Sequence, residues 1–170
     1  MKVAVKDACV LIDLANGGLL DAWFQLGIET FTTDLVLRQV KTADQWKAVS
    51  LFVEAGLLQI ETLTGNQIER MSKSLAGLRI GIEDQSALFL AIERGAVLVT
   101  GDRRLRIEAD KYEVEVRGLL WILDELVGHS VVAPTLAALK LQSMRDQGAR
   151  LPKDECEKRL QLWTGGPASG

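Results

Sequence analysis

A single α/β domain, built on a mostly parallel sheet with helices on both faces, is predicted by two observations. The first is a regular alternation of short apolar runs with amphipathic stretches along residues 1–128. Such a βαβα rhythm favours a parallel sheet covered on both sides. The second is size and composition. A chain of 170 residues, 48% hydrophobic and 25% charged, can bury a real core and suits one soluble globular domain.

The elements follow in order. KVAVK (2–6) reads as a short buried strand. CVLIDLANGGLLDAWFQLG (9–27) reads as helix, broken at Gly17–Gly18. IETFTT (28–33) is the second strand. DLVLRQVK (34–41) and ADQWKAVSLFVEAG (43–56) are helical, with Gly56 as C-cap. LLQIETL (57–63) is the third strand, and GNQIERMSKSLAG (65–77) a helix ending near Gly77. EDQSALFLAIERG (83–95) carries Ala87, Leu90 and Ala91 on one stripe and closes at Gly95. AVLVT (96–100) is the fourth strand, YEVEVR (112–117) an edge strand, and GLLWILDELVG (118–128) a helix.

The remainder changes character. APTLAALKLQSMRDQGA (133–149) and LPKDECEKRLQLW (151–163) read as two helices with no strand between them. Leu136, Leu139, Leu160 and Trp163 are expected to form the apolar seam of a helical hairpin packed on the domain; a partner or dimer surface is the other reading. The expected organisation is a domain over 1–128, a helical extension over 129–163 and a flexible tail over 164–170.

Several function classes are excluded at this level. The N-terminal MKVAVKDACVLIDL carries Lys2, Lys6, Asp7 and Asp13 and does not read as a signal peptide, and no run is clean enough to span a bilayer. No membrane role is expected. Cys9 and Cys156 form no disulfide framework, which fits a cytoplasmic location. A pI near 5.3 argues against a general nucleic-acid coat protein, but not against a local basic rim. The single histidine, His129, lies in a loop-like stretch and reads as a surface or capping residue. No zinc spacing, phosphate loop or dinucleotide fingerprint is present.

Carboxylates carry the chemistry that remains. Asp7 ends the first strand, Asp84 opens the helix EDQSALFLA, and Asp102 ends the fourth strand. Taken singly, each reads as a helix N-cap. Taken together, they sit where a parallel α/β sheet forms its crevice, at strand carboxyl ends and helix first turns. Converged carboxylates repel unless a cation neutralises them. Hard oxygen donors suit Mg2+ or Mn2+, which can activate water and balance charge on a phosphate being cleaved.

The stretches KDACVLIDL, TTDLVLRQV, EDQSALFLAIERGAVLVTGDRRLRIEA and VEVRGLLWILDEL, in this order and spacing, resemble the PIN domains. The third stretch is the most specific: an Asp, a small-residue helix, a Gly, an apolar strand, then T-x-D. LPKDECEKRL resembles a subgroup with an added C-terminal helix pair. The resemblance implies a three-layer PIN-like fold and a metal-dependent endoribonuclease, such as the toxin of a toxin–antitoxin pair. It also implies an RNA substrate, a possible antitoxin partner and a homodimer. Asp7, Asp84 and Asp102 match three of the family's acidic, metal-holding catalytic positions, and Thr100 the Thr of its T-x-D, expected beside the substrate.

The sequence departs from the pattern at two places. The fourth acidic position, usually Glu in V-x-x-E, falls on Gln39, which offers an amide oxygen but no charge. Cys9 stands where Ser or Thr is usual. Glu83, beside Asp84, reads as an exposed first-turn acid favoured by the helix dipole. Arg103, Arg104, Arg106 and Arg38 read either as phosphate contacts or as solvated faces, the first three with partners such as Glu108 and Asp110. The alternative function is a PIN domain weakened or silenced at Gln39 that survives as an RNA- or protein-binding module.

Overall fold

A computed structural model describes residues 3–165 of the protein. Five parallel strands, β1 (Val3–Lys6), β2 (Glu29–Thr33), β3 (Leu58–Glu61), β4 (Val97–Val99) and β5 (Val116–Arg117), form one sheet in the order β3-β2-β1-β4-β5. The chain winds outward from β1 to β3, then returns to place β4 on the other side of β1. The sheet therefore has its topological switch point between β1 and β4.

The crossovers are helical. Helices α1 (Ala8–Asn16) and α2 (Leu20–Gln25) follow β1, and α3 (Asp34–Leu37) and α4 (Ala43–Glu54) follow β2. Helices α5 (Gly65–Ser74) and α6 (Ile82–Arg94) follow β3, α7 (Arg103–Asp110) follows β4, and α8 (Leu119–Gly128), α9 (Pro134–Asp146) and α10 (Lys153–Thr164) complete the chain. Gly56 ends α4 with φ +70, where the left-handed conformation is open to glycine, and Leu57 N–H closes back on Phe52. Among the described residues, no helix is long and apolar enough to cross a membrane.

Two apolar clusters, one on each face of the sheet, give the three-layer PIN-like arrangement. Leu11, Leu14, Trp23, Ile122 and Leu126 anchor one; Met71, Leu88, Leu90 and Leu105 anchor the other. Strand β4 shows why both form. Its side chains alternate, so Val97 and Val99 enter the first cluster and Leu98 the second.

Two local expectations need correction. Helix α3 stops at Leu37 instead of running on to Lys41. Arg38, Gln39 and Val40 close i→i+3 turns, and Thr42 then caps a new helix by accepting the Gln45 N–H at 3.2 Å. The expected C-terminal seam is also displaced. Leu136 and Leu139 are 44% and 69% exposed. The buried stripe of α9 is Ala137, Ala138, Leu141 and Met144, which meets Cys156 and Trp163 of α10, with Leu160 partly buried beside them.

Small residues at 137 and 138 let α9 approach closely, and Met144 reaches the α1–α2 turn so tightly that a Cβ at Gly17 would overlap it. Arg159 ties α10 to α8 through Asp124, with two bonds of 2.9 and 2.6 Å. The helical extension therefore shares the core of the preceding domain. Thr164, expected in a flexible tail, is the last residue of α10; residues 166–170 lie outside the described residues.

Candidate metal centre

The switch point places two of the three candidate aspartates on adjacent strand ends. Asp7 continues the β1–β4 pairing, its N–H donating to the Val99 carbonyl at 3.2 Å. It then caps α1, with Oδ1 accepting the Val10 N–H at 2.9 Å. Asp102, two residues beyond β4's neighbour Thr100, caps α7 by accepting the Leu105 N–H at 2.9 Å. Both are therefore the N-caps that each reads as when taken alone. Asp84 is not: Gly81 is the cap of α6, and Asp84 sits in its first turn.

Thr100 joins the two strand ends. It is fully buried, and its hydroxyl donates to Asp7 Oδ2 while accepting the Asp102 N–H at 2.9 Å. In this position the Thr100 hydroxyl orients the two aspartates. Arg106, an exposed residue, donates one N–H to the Thr100 carbonyl at 3.3 Å.

Removing the Thr100 hydroxyl should be costly. Thr100→Val leaves Asp7, only 3% exposed, short of a donor and the Asp102 N–H without its acceptor. A loss of about 2–3 kcal/mol in urea unfolding is expected, with Thr100→Ser close to the parent. Equal stability of the Val variant would mean that the bridge contributes nothing.

The electrostatics tie Asp84 to the same crevice. Burial raises its pKa, and the Asp102 and Glu83 charges raise it further. The thiol of Cys9, on a residue next but one to Asp7, is pushed up to about 11 by partial desolvation and by the charges of Asp7, Asp13, Asp102 and Asp84. Carboxylates from three distant segments thus act on one sulfur. Glu83 lies in the first turn as expected, but it is partly buried instead of exposed and adds to the repulsion on Asp84. Among the described residues, no three acidic, Cys or His side chains stand close enough to hold one ion as they are placed.

Asp13 was not singled out by the sequence pattern. It lies four residues after Cys9 on α1, so the two share a helical face, and burial raises its pKa. That i,i+4 spacing is the signal that could have found it.

A pH dependence follows. A carboxyl whose folded pKa lies above the free value of 3.8 holds its proton more tightly in the folded chain. Its contribution to stability is complete below the unfolded pKa and is lost as pH rises through the folded one. Asp84 and Asp13 both act in this direction, so they weaken the metal-free protein as pH climbs above 3.8. Urea titrations across that range should show a shallower loss in Asp84→Asn than in the parent; identical slopes would remove Asp84 from the account.

The remaining candidates divide by exposure. Arg38, Arg103 and Arg104 are exposed. Glu108, one expected partner of the α7 arginines, pairs instead with Lys111 at 2.6 Å. Gln39 is partly buried in the turn after α3, the helix that packs against α6. His129 ends α8, with Nδ1 2.9 Å from the Glu125 carbonyl oxygen, which agrees with a surface capping role.

Comparison with known proteins gives two findings. The profile of the PIN domain matches residues 3–165. Among solved structures, the chain resembles a PilT N-terminus domain protein from the hyperthermophilic archaeon Sulfolobus solfataricus. The TM-score is 0.43 at 14% identity, covering 74% of this chain and 92% of that one. Comparison with curated proteins finds no match.

Proposed function

From the premise that the chain belongs to the PIN-domain family, a nuclease-type family, we propose that it is a divalent-metal-dependent endoribonuclease. The observation that carries the proposal is the bridged pair Asp7–Thr100–Asp102 at the sheet's switch point, with Asp84 in electrostatic contact with Asp102. Asp7, Asp84 and Asp102 are the proposed holders of Mg2+ or Mn2+, with Gln39 a weak fourth.

The donor chemistry fits such an ion. All three are hard carboxylates, and the Asp102 and Glu83 charges add to burial in raising the pKa of Asp84, a repulsion that a cation would relieve. A preformed cage is not required, because Mg2+ keeps several waters and takes only one or two carboxylates directly. The Val10 N–H on Oδ1 and the Thr100 hydroxyl on Oδ2 hold the Asp7 carboxylate in place. Bound there, the ion would supply activation of water and neutralisation of phosphate charge. The chain's own part is to fix the carboxylates through two helix caps and the Thr100 bridge. Arg103, Arg104 and Arg38 hold the phosphates of single-stranded or loop RNA from exposed positions.

We further propose that the biological setting is a toxin–antitoxin pair, with a homodimeric toxin and an antitoxin protein as partner. Copurification with the product of the adjacent reading frame tests that setting. A second reading, an RNA- or protein-binding module without cleavage, is favoured by the neutral Gln39 and by the spread of the carboxylates. The deciding experiment is cleavage of a labelled single-stranded RNA by pure protein with Mn2+, Mg2+ or chelator. Metal-dependent cleavage that is absent from an Asp102→Asn preparation supports the nuclease. RNA retention without cleavage supports the binding module.

A further inference from the structure

Helices α3 and α6 meet through two buried hydroxyls. Thr33, the last residue of β2, and Ser86, in the first turns of α6, are both fully buried, with their oxygens 2.6 Å apart. The direction of the bond between them follows from their other partners. Ser86 uses its only proton on the Glu83 carbonyl at 2.6 Å. Thr33 Oγ1 accepts the Val36 N–H at 3.1 Å, which leaves its own proton for Ser86. A single directed chain results: Val36 N–H to Thr33, Thr33 to Ser86, Ser86 to the Glu83 carbonyl.

Its two ends matter. At one end, the chain grips the peptide carbonyl of Glu83, the residue directly before Asp84. At the other, it caps α3, whose four residues lead straight into the turn bearing Arg38 and Gln39. A helix of four residues has almost no hydrogen bonding of its own to hold its direction. Two fully buried hydroxyls have no solvent to turn to, so breaking the linkage leaves a buried polar group short of a partner.

We infer that Thr33 and Ser86 are a positioning pair that sets the α3 turn carrying Gln39 and Arg38 against Asp84 on α6. The functional arm of this inference rests on the metal-nuclease reading above. Neither hydroxyl is a catalytic residue; each acts through the backbone it holds.

The test uses the full chain and the variants Ser86→Ala, Thr33→Val and Thr33→Ser. Amide hydrogen exchange of residues 36–40 is read on metal-free protein, and Mn2+ affinity by calorimetry. In Ser86→Ala and Thr33→Val, exchange at Val36 and the following turn should quicken more than in the distant helix α8. Mn2+ affinity should fall about tenfold, as for loss of outer groups that orient ligands. Thr33→Ser keeps the hydroxyl and should restore both. Parent-like exchange at residues 36–40 in Ser86→Ala overturns the inference. Loosened exchange with unchanged Mn2+ affinity, or loosening spread evenly over the molecule, overturns the positioning role and leaves only a contribution to stability. If the parent itself takes no Mn2+, the nuclease reading fails, and the exchange measurement alone decides whether the hydroxyl pair holds the turn.

Discussion

Asp102→Asn should abolish Mn2+-dependent RNA cleavage while leaving the fold intact. Asn is as good an N-cap as Asp, so the bond to the Leu105 N–H and the start of α7 are retained. The Asp102 N–H, held by Thr100, is unaffected. The variant loses one negative charge, in a crevice where that charge already pushes up the pKa of Asp84. A divalent ion contributes several kcal/mol to stabilising charge on a reacting phosphate. Because about 1.36 kcal/mol is tenfold in rate, cleavage should drop by at least about a hundredfold. Thermal unfolding of the metal-free variant should match the parent or rise slightly, since a like-charge repulsion is relieved. Parent-level cleavage by the variant would overturn the proposed role. Lost cleavage with a collapsed melting temperature would point to a structural role instead.

Gln39→Glu should act in the opposite direction. A neutral amide where the family pattern has a carboxylate removes one unit of attraction for a divalent ion. Opposite unit charges at 4 Å are worth about 1 kcal/mol in water and about 4 kcal/mol near a protein surface. Partly buried Gln39 lies between those limits, so the Glu form should bind Mn2+ about tenfold more tightly or better and cleave at lower metal. The metal-free Glu variant should be less stable at neutral pH, because a further negative charge joins those of Asp84 and Asp102. Calorimetric metal titration, run beside a cleavage assay on the same preparations, checks both expectations. Unchanged metal affinity would place residue 39 outside the centre. Tighter binding without cleavage would favour the binding module.

Parts of the site are visible in the chain itself because they are local. A strand end followed by Asp and a helical stretch reads as a cap, and Asp7 and Asp102 are caps. The same local logic misplaces Asp84, because the helix begins earlier, at Gly81, where no side chain makes the capping bond. It also lets α3 run too far. Nothing in the apolar spacing of DLVLRQVK shows that Arg38, Gln39 and Val40 close i→i+3 turns and end the helix at Leu37.

By itself, the sequence determined most of the βα order and of the element boundaries, and the places of Asp7 and Asp102 as helix caps. Helix and strand periodicity, together with glycine's access to positive φ, act within a few residues and so leave their mark on the string. Only the tertiary structure decided which groups meet. The Thr100 hydroxyl reaches Asp7 across 93 residues, and Thr33 reaches Ser86 across 53. Both contacts depend on the order β3-β2-β1-β4-β5, which sets β1 against β4 and brings α3 onto α6. The same long-range packing turns Leu136 and Leu139 outward, because the small Ala137–Ala138 face fits closest to the core. A periodic pattern shows that a helix has an apolar side; which of two apolar stripes is buried is settled by the shape of what it packs against.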